Sequence, residues 1–525
     1  QGVQRQGEHQ DDEDDTHGAT LTEPDDPAGP RIRSHPSTYL LMPARLKAWH
    51  DHPVPTPPIF RLLAGGTAPD DVAALCTTLT ERMVQRGLLP THDGRVAAGA
   101  GDGADERAES PLPLLVPIGP GEDAGQVRAD LARRVARVPP HTDLILRTSG
   151  STTGTGRLIA VRVAALTASA LATHERLGGP GTWLLALPAH HVAGLQILVR
   201  SLLSGTTPVV ADMSVGFSPT ALADALRSAR DSAGPAARLY TSLVPTQLVR
   251  VVRDRAASRA LTEADAVLLG GAAADPALLA RAQELGITVV TTYGMSETGG
   301  GCVYDGRPLN GVELAIQDPD AEGTGRVLIS GPVLADGYLQ DPDVTDSASA
   351  GPASDGTSRS GEGFRDTEAG RVLVTSDRGR LRPDGRLELL GRVDDVIITG
   401  GVKVEPRRVE EALTGLDTVA EACVVGLPDE QWGSIVVAAV VCEAAAGQED
   451  SGVSDDLSSP DGAALREAVR SRLDGVHAPK RVIVLEALPL RPSGKVDRRA
   501  VTRLLTAAAE PVEPGESAEP LRPAP

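Results

Sequence analysis

The stretch RTSGSTTGTGRL, from Arg147 to Leu158, contains three glycines and six serines or threonines. Small residues let backbone N–H groups approach an anion closely, and their hydroxyl groups add further donors. Arg157 supplies a positive charge near the end of the stretch. This composition predicts a phosphate-binding loop, although the Walker A pattern G-x-x-x-x-G-K-[ST] is absent. A surface loop without any ligand could have the same composition, so the stretch alone leaves both interpretations open.

Four later segments each place charged side chains in a setting rich in glycine or proline. Taken singly, each charge is better explained by a turn, a solvated loop or an exposed tail than by a site. The segments are TTYGMSETGGG (291–301) with Glu297, VTSDRGRL (374–381) with Asp377, LLGRVDDVIITGGVKVEP (389–406) with Arg392 and Asp394, and PLRPSGKVDRRAV (489–501) with Lys495.

In order and spacing, the five segments resemble the core motifs of the adenylate-forming superfamily, which includes acyl- and aryl-CoA ligases, peptide-synthetase adenylation domains and luciferases. The resemblance extends from about Tyr39 to Leu505. It implies a multi-domain α/β fold, with a large N-terminal domain of packed α/β subdomains and a small α+β C-terminal lid. It also implies a two-step reaction. A carboxylate attacks the α-phosphate of ATP and releases pyrophosphate, and coenzyme A then displaces AMP.

The resemblance assigns expected roles around the nucleotide. Glu297 would hold Mg²⁺, and Lys495 would contact the α-phosphate and the attacking carboxylate, so both are catalytic candidates. Asp377 would accept hydrogen bonds from the ribose, Tyr293 would lie against adenine, and Ser296 would bind the α-phosphate. The other ATP-binding candidates are Thr148, Ser149, Gly150, Ser151, Thr152, Thr153 and Gly154 of the loop, Gly271, Ala272 and Ala273 of GGAAA (270–274), and Gly294, Met295 and Arg392.

Two further expectations concern the lid. Asp394 would be the hinge, because lid rotation needs a residue that absorbs a large change in backbone angles. Gly400 and Gly401 would line the coenzyme A tunnel after rotation. The phosphate loop departs from the usual T-S-G-[ST]-T-G-x-P-K pattern, with an additional Thr, Gly156 in place of Pro and Arg157 in place of Lys. The pairing of each hydroxyl with each phosphate therefore stays open.

The segment LPAHHVAGLQILVRSLLSG (187–205) predicts a helix whose Gln196 and Arg200 share one face. A His followed by an Arg nine residues later resembles a narrower group, the o-succinylbenzoate–CoA ligases of menaquinone biosynthesis. The substrate of that group carries two carboxylates. The resemblance implies that Arg200 binds the carboxylate that is not activated. It also implies that His191, a third catalytic candidate, positions the activated one.

The same resemblance implies that Gly299 and Gly300 leave room for a flat aromatic substrate, and Ser242 is a weaker candidate for the pocket wall. Each candidate has an alternative. Arg200 could form a surface or interdomain ion pair, and His191 could be a structural histidine. The neighbouring His190 makes the register ambiguous, although the HxxG spacing to Gly194 favours His191.

Three other functions remain open for the whole chain. It could be a benzoate-type or medium-chain CoA ligase, although an enzyme for a monoacid has little use for Arg200. It could be a stand-alone adenylation enzyme that loads a carrier protein, but no carrier domain follows the lid segment. It could be a non-catalytic homologue. The joint presence of Glu297, Asp377, Arg392 and Lys495 argues against that last possibility.

Secondary-structure patterning supports an α/β fold with mostly parallel sheets, because apolar runs alternate with Ala/Leu/Arg-rich segments. The helices at 218–230 and 275–286 begin with a Ser or Asp cap followed by Pro. YTSLVPTQLVR (240–250) is predicted to open a helix that forms a pocket wall. The predicted strands are 182–188, 207–211 and 287–294.

The expected domain organisation follows shifts in composition. Residues 1–38 form a disordered acidic tail, 39–391 the large AMP-binding domain, 392–508 the lid, and 509–525 a second disordered tail. Small polar residues predict surface loops at 96–111, 346–368 and 444–461.

Global composition excludes several function classes. A net charge of −20 argues against nucleic-acid binding, which needs a basic surface. The four cysteines are far apart, which disfavours a disulfide framework or zinc site and fits a reducing cytoplasm. The sequence has neither a long apolar run nor a basic-then-apolar leader pattern at its start. The expected partner is a small aromatic or acyl carboxylic acid, and a homodimer is expected by analogy.

Overall fold

The structure is a computed structural model that describes residues 59–91, 112–134, 138–139, 141–148, 157–339, 363–368, 370–442, 462–491 and 494–507. The predicted tails 1–38 and 509–525 and the predicted loops 96–111 and 444–461 lie outside these residues. The loop predicted at 346–368 is wrong at its end, because Gly363–Thr367 forms a strand paired with Gly370–Val374. That pairing satisfies backbone groups which the polar composition alone assigned to solvent.

The elements are numbered here in chain order. The strands are β1 (Phe60–Ala64), β2 (Leu114–Ile118), β3 (Leu144–Arg147), β4 (Leu158–Val161), β5 (Thr182–Leu185), β6 (Val209–Val210), β7 (Leu239–Leu243), β8 (Ala266–Leu269), β9 (Val289–Met295), β10 (Gly300–Tyr304), β11 (Arg307–Pro308), β12 (Glu313–Gln317), β13 (Gly325–Ser330), β14 (Gly337–Tyr338), β15 (Gly363–Thr367), β16 (Gly370–Leu381), β17 (Leu387–Arg392), β18 (Ile397–Thr399), β19 (Val402–Val404), β20 (Val419–Asp429), β21 (Gly433–Cys442) and β22 (Arg481–Val484). The helices are α1 (Pro69–Gln85), α2 (Ala124–Arg134), α3 (Val163–Arg176), α4 (Val192–Leu203), α5 (Pro219–Ala233), α6 (Pro245–Arg253), α7 (Arg255–Leu261), α8 (Pro276–Glu284), α9 (Pro406–Thr414), α10 (Gly462–Arg472) and α11 (Arg498–Ala507).

The predicted helix starts at 218 and 275 are confirmed. The Ser218 side chain accepts a hydrogen bond from the Ala221 N–H at 3.2 Å, and Asp275 accepts one from Ala277 at 2.6 Å. The prediction for 240–250 is wrong in its first half, where β7 runs to Leu243 and α6 starts only at Pro245. A proline disfavours helical geometry in the residue before it, so Val244 is extended and the helix cannot begin earlier.

The predicted parallel sheet is confirmed in the centre of the molecule. The seven-stranded sheet has the order β11-β10-β9-β8-β7-β5-β6, and its strands β6, β5, β7, β8 and β9 are parallel. A second sheet, β1-β2-β3-β4-β14, mixes both directions. The third, β12-β13-β16-β15 with β17 beside β16, is antiparallel throughout, so "mostly parallel" describes only part of the fold.

A buried carboxylate holds the strand that leads into the phosphate loop. Asp143, which is 2% exposed, accepts hydrogen bonds from Arg82 at 3.0 Å and Arg86 at 2.8 Å. Its other oxygen accepts from the N–H of Val163 at the start of α3. Because buried carboxylates are tolerated only when paired and hydrogen-bonded, this cluster fixes α1 and α3 against β3.

The chain leaves the third sheet at the end of β17 and passes through a 3₁₀ turn, Val393–Asp395. Residues after this turn pack around two apolar clusters of their own. One lies between α9, α10 and the sheet β20-β21-β22, and the other lies under α11. The C-terminal segment therefore has a separate core.

All four cysteines lie in the part of the chain that the structure describes, and none of them is in a disulfide. Burial raises the pKa of Cys302 and Cys423 to about 12 and that of Cys76 to about 11. These thiols are poor nucleophiles, because the reactive form is the thiolate. Among the described helices, none combines the length and apolar character needed to span a bilayer.

Candidate functional site

A cavity of about 1360 Å³ lies at the carboxyl ends of β7, β8 and β9. Its walls also include the start of α4, the third sheet and the C-terminal segment around Lys495. Ligands of open parallel sheets bind outside the carboxyl ends of the strands, because loops and helix starts expose polar groups there. The volume exceeds that of a pocket for one drug-sized ligand, so the cavity has room for two reactants.

The cavity brings together most of the site residues predicted from the sequence. Those that line it are Thr148, His191, Arg200, Ser242, Gly271, Ala272, Ala273, Tyr293, Gly294, Met295, Ser296, Glu297, Gly300, Asp377, Arg392, Asp394 and Lys495. Six predicted loop residues lie outside the described part of the chain: Ser149, Gly150, Ser151, Thr152, Thr153 and Gly154.

Three predicted glycines are not part of the cavity wall. Gly299 has a φ of +59° and accepts a hydrogen bond from Gln196 at 2.6 Å, so a tight turn rather than room for a substrate explains it. Gly400 and Gly401 form the turn between β18 and β19 with φ of +55° and +81°. A Cβ on Gly400 would lie 2.7 Å from the Trp432 ring, so in this arrangement the turn packs on the C-terminal segment.

The ends of the phosphate loop are joined by two hydrogen bonds. The Thr148 N–H donates to the Arg157 carbonyl at 2.8 Å, and the Arg157 N–H donates to the Thr148 hydroxyl at 2.8 Å. These bonds continue the antiparallel pairing of β3 with β4. The loop therefore starts and ends at one fixed neck on the cavity wall.

Asp377 is held in place by the sheet and by a tyrosine. The Tyr293 hydroxyl donates to Asp377 Oδ2 at 2.7 Å. Burial, the nearby Asp377 carboxylate and this hydrogen bond raise the pKa of Tyr293 well above its usual value, so the phenol stays protonated. Asp377 on β16 faces Arg392 on β17 in the sheet register, and Arg392 donates to the Ser376 hydroxyl. The carboxylate is thus fixed at the cavity wall.

Lys495 reaches the cavity from a tight turn of the C-terminal segment. The Thr246 hydroxyl donates to the Gly494 carbonyl at 2.8 Å and joins this turn to the start of α6. A Cβ on Gly271 would lie 3.0 Å from Lys495 Cε, so the glycine makes room for the lysine. Burial lowers the pKa of Lys495, Arg491 and Arg392 lower it further, and Glu297 opposes them. The charges of Lys495 and Glu297 therefore attract one another across the cavity.

His191 is the N-cap residue of α4 and faces the cavity, whereas His190 does not line it. Burial lowers the pKa of His191 to about 3, with smaller contributions from His190 and Lys495. The imidazole is therefore neutral at pH 7. Its Nε2 is buried and has no hydrogen-bond partner among the described residues. A neutral ring with a free nitrogen can bind a ligand oxygen but does not supply a positive charge.

Arg200 is buried, with 3% of its surface exposed, and lies at the cavity wall on α4. Nη2 donates to the Tyr304 hydroxyl at 3.2 Å, and Cζ lies 4.9 Å from the Trp183 ring centroid. Among the described residues, Nε has no hydrogen-bond partner and no carboxylate interacts with the guanidinium. Its burial contradicts the surface position considered for Arg200, and no ion pair with a described residue accounts for it. Burial lowers the pKa of Arg200 because the cation is desolvated.

Sequence reasoning missed the aromatic residues that surround Arg200. Trp183 lies on β5, the strand directly before α4, whereas Tyr304 lies at the end of β10, 104 residues after Arg200. Tyr304 also shares a hydrogen bond of 3.0 Å with the Thr173 hydroxyl on α3. Aromatic residues make up only 2% of this chain, so their rarity could have marked Trp183 and Tyr304 as candidate site residues.

Replacing Gly194, in the first turn of α4, is expected to lower the stability of the protein. A Cβ there would lie 2.3 Å from the Pro188 carbonyl oxygen. Overpacking of this kind costs about 1–3 kcal/mol, so we expect Gly194→Ala to lower the free energy of unfolding by that amount in a denaturant titration. Gly475→Ala is the matched control, because the nearest atom to its Cβ would be 3.8 Å away. Equal stability of the two variants would show that the start of α4 can shift freely.

Comparison with known proteins gives matches at both the sequence and the structure level. Residues 81–339 match the AMP-binding enzyme family, and residues 408–495 match the AMP-binding enzyme C-terminal domain. The chain is 43% identical over 367 residues to a protein of Mycobacterium tuberculosis described as a probable 2-succinylbenzoate–CoA ligase, covering 70% of this chain and 85% of the relative. It is 31% identical over 424 residues to the medium/long-chain-fatty-acid–CoA ligase FadD8 of the same species, covering 74% and 68%.

Among solved structures, the fold is similar to that of the o-succinylbenzoate CoA synthetase MenE of Bacillus subtilis. In its complex with the acyl-adenylate intermediate OSB-AMP, that enzyme gives a TM-score of 0.52 and 26% identity over 69% of each chain. In its complex with ATP and a magnesium ion it gives a TM-score of 0.52 and 25% identity, covering 73% of this chain and 75% of that one.

Proposed function

The chain belongs to the AMP-binding enzyme family, and from this premise we propose that it is an AMP-forming ligase that joins 2-succinylbenzoate to coenzyme A. In the first step one carboxylate of the acid attacks the α-phosphate of ATP, which gives an acyl-adenylate and pyrophosphate. In the second step the coenzyme A thiolate attacks the acyl carbon and AMP leaves. Relatives with this printed activity support the proposal.

The buried cation of Arg200 is the observation that carries the choice of acid. It lies in the same cavity as Lys495 and Glu297, and no carboxylate of the described residues neutralises it. A guanidinium binds a carboxylate through short, charge-assisted hydrogen bonds. A dicarboxylic acid can place one carboxylate at the reacting phosphate and the other at Arg200. A monoacid leaves the buried charge uncompensated.

The proposed roles of the nucleotide side chains follow from their positions. Asp377, held by Tyr293, accepts hydrogen bonds from the ribose, and the small residues Gly271 to Ala273 lie along the base. The acid and the triphosphate are both anions, so their approach must be offset by a positive charge. Lys495 supplies that charge, and its burial strengthens the interaction because little water screens it. His191, being neutral, orients the attacking carboxylate without neutralising it.

Magnesium fits the donors at this site. Glu297 is 7% exposed and has one oxygen that makes no hydrogen bond to the described residues, while Thr148 and Ser296 supply hydroxyls nearby. Mg²⁺ is commonly held by one or two carboxylates together with substrate phosphates. The described residues contain no cluster of three or more His, Cys, Asp or Glu that could hold a metal ion by itself. A single carboxylate that shares the ion with substrate phosphates is consistent with that finding. When bound, the ion supplies charge neutralisation to the phosphate oxygens.

The proposed two steps require the C-terminal segment to move. We place the boundary between the large domain (39–391) and the lid (392–508) at the end of β17, with Asp394 as the hinge. Among the described residues beyond the turn at Val393–Asp395, three polar contacts hold the lid in the arrangement seen here. They are Arg378 to Glu405 at 2.7 Å, Arg407 to the Leu389 carbonyl at 2.9 Å, and Thr246 to Gly494. Breaking them would let the turn at Gly400 and Gly401 approach coenzyme A.

A panel of acids tests the proposed function. We expect ATP–pyrophosphate exchange with 2-succinylbenzoate and release of AMP once coenzyme A is added. Benzoate and a medium-chain fatty acid should support exchange much more weakly. Preference for either monoacid would instead support the alternative CoA ligases, for which the 31% identity to FadD8 is the specific observation. Absence of exchange with every acid would identify a non-catalytic homologue.

A further inference from the structure

The segment Ala335–Tyr338 connects the neck of the phosphate loop with Glu297. The Ala335 N–H donates to the Glu297 carbonyl at 2.9 Å. One residue later, the Asp336 N–H donates to the Ala160 carbonyl on β4 at 2.8 Å. Tyr338 then pairs with Ile159 as β14 runs antiparallel to β4. A few residues of backbone thus fix the distance between the end of the loop and the carboxylate that is proposed to hold the metal.

The Tyr338 side chain makes a second connection between the same two groups. Its hydroxyl donates to Glu297 Oε1 at 2.6 Å and accepts a hydrogen bond from Arg157 Nη2 at 2.9 Å. The Arg157 guanidinium carbon lies 3.8 Å from the centroid of the Tyr338 ring. Phe364 on β15 packs against that ring, with 5.6 Å between the two centroids. The phenol is therefore held through its ring as well as through its hydroxyl.

A phenol that donates to a carboxylate fixes the orientation of both groups. The hydrogen bond is charge-assisted and short, so it restricts rotation of the Glu297 carboxylate. The positive charge of Arg157 on the acceptor side of the hydroxyl makes that hydroxyl a stronger donor. With Oε1 occupied by Tyr338, Oε2 is the oxygen that remains to bind a cation. Partners behind a metal ligand commonly set its direction and basicity in this way.

We propose that Tyr338 is a positioning residue, which orients Glu297 for the divalent cation and keeps Arg157 at the neck of the phosphate loop. This inference rests on the proposed function, because it requires ATP and a metal to occupy the cavity. Tyr338 acts through Glu297 and Arg157. A purely structural role would affect stability alone, whereas positioning affects the affinity for the metal.

Tyr338→Phe tests the role of the hydroxyl by itself, because the ring and its contacts with Arg157 and Phe364 are kept. Mn²⁺ serves as a spectroscopic substitute for Mg²⁺, and free Mn²⁺ is measured by electron paramagnetic resonance in the presence of enzyme and ATP. We expect the variant to bind Mn²⁺ in this complex about 10-fold more weakly than wild type. The Mg²⁺ concentration for half-maximal pyrophosphate exchange should rise by a similar factor. Saturating Mg²⁺ should restore most of the rate.

Tyr240→Phe is the matched control, because it removes another tyrosine hydroxyl that is hydrogen-bonded in the interior but does not line the cavity. We expect it to leave the Mn²⁺ affinity unchanged. If both variants lose thermal stability alike and both bind Mn²⁺ as wild type does, Tyr338 is structural and the inference is overturned. If wild-type enzyme with ATP binds no Mn²⁺, the proposed function fails as well, so the two failures are distinguished by the wild-type measurement.

Discussion

Replacing Lys495 with alanine is expected to lower the rate of adenylate formation by about 100- to 1000-fold, the usual effect of removing one group that stabilises developing charge. Thioester formation from supplied acyl-adenylate should keep its wild-type rate, because the charge acts on the α-phosphate only during the first step. Pyrophosphate exchange measures the first step, and release of AMP from synthetic adenylate and coenzyme A measures the second.

Lys480→Ala is the control for loss of a lid lysine, since Lys480 lies over the Trp432 ring and does not line the cavity. It should leave adenylate formation unchanged. An equal loss of both half-reactions in Lys495→Ala would contradict the assigned role, because it would indicate damage to the lid as a whole.

The pH dependence of the first step follows from the same lysine. Its pKa is lowered from the ordinary value of 10.5 by burial and by Arg491. The proposed role requires the protonated ammonium, which is present below this lowered pKa and lost as pH rises through it. Adenylate formation should therefore decline at a pH below that expected for an exposed lysine. The alkaline limb should be missing from the residual activity of Lys495→Ala.

Arg200→Met is expected to reduce kcat/KM for 2-succinylbenzoate by roughly 10- to 150-fold, which corresponds to the 1.5–3 kcal/mol of a hydrogen bond to a charged group. The kcat/KM for benzoate should change little, since benzoate has no second carboxylate to bind Arg200. The two values come from steady-state kinetics on the same preparation. Equal losses for both acids would show that Arg200 only supports the shape of the pocket.

The stability of the same variant provides an independent test. A buried charge without a counter-ion is unfavourable, so Arg200→Met should leave the free energy of unfolding unchanged or raise it. Stabilisation of the folded enzyme by added 2-succinylbenzoate should be lost. Arg82→Met is the matched contrast, because Arg82 is equally buried but paired with Asp143. That variant should lose about 3–5 kcal/mol.

The grouping of the proposed nucleotide-binding side chains at one cavity could be predicted from sequence, because they lie in short local motifs. Tyr293 lies within β9, Glu297 directly follows that strand, and Asp377 lies within β16, so each motif carries its own backbone geometry. Caps such as Ser218 are similarly local. Bringing these motifs together also required the antiparallel sheet that carries Asp377 to lie beside the carboxyl ends of the parallel strands.

The acid end could be predicted only in part. Helical spacing placed Gln196 and Arg200 on one face of α4, but both are buried, at 1% and 3% exposure, so this face is not a solvated one. One group that buries it, Trp183, lies on β5 just before α4, and the other, Tyr304, lies on β10 far away in the chain. Neither contact with Arg200 follows from the spacing of residues within α4. The same holds for Tyr338, whose partners Glu297 and Arg157 belong to other elements. The homodimer, the cytoplasmic location and the absence of nucleic-acid binding stay predictions.

The neck formed by Thr148 and Arg157 explains why the fold tolerates an additional threonine in the phosphate loop. Because two hydrogen bonds close the loop at its base, a change in the number of residues between them is not transmitted to β4. The entropy of closing a loop also depends only weakly on its length. Insertions and deletions between Thr148 and Arg157 therefore leave β3 and β4 in place. The loop sequence between Thr148 and Arg157 can therefore vary while the hydrogen bond between Tyr338 and Glu297 is kept.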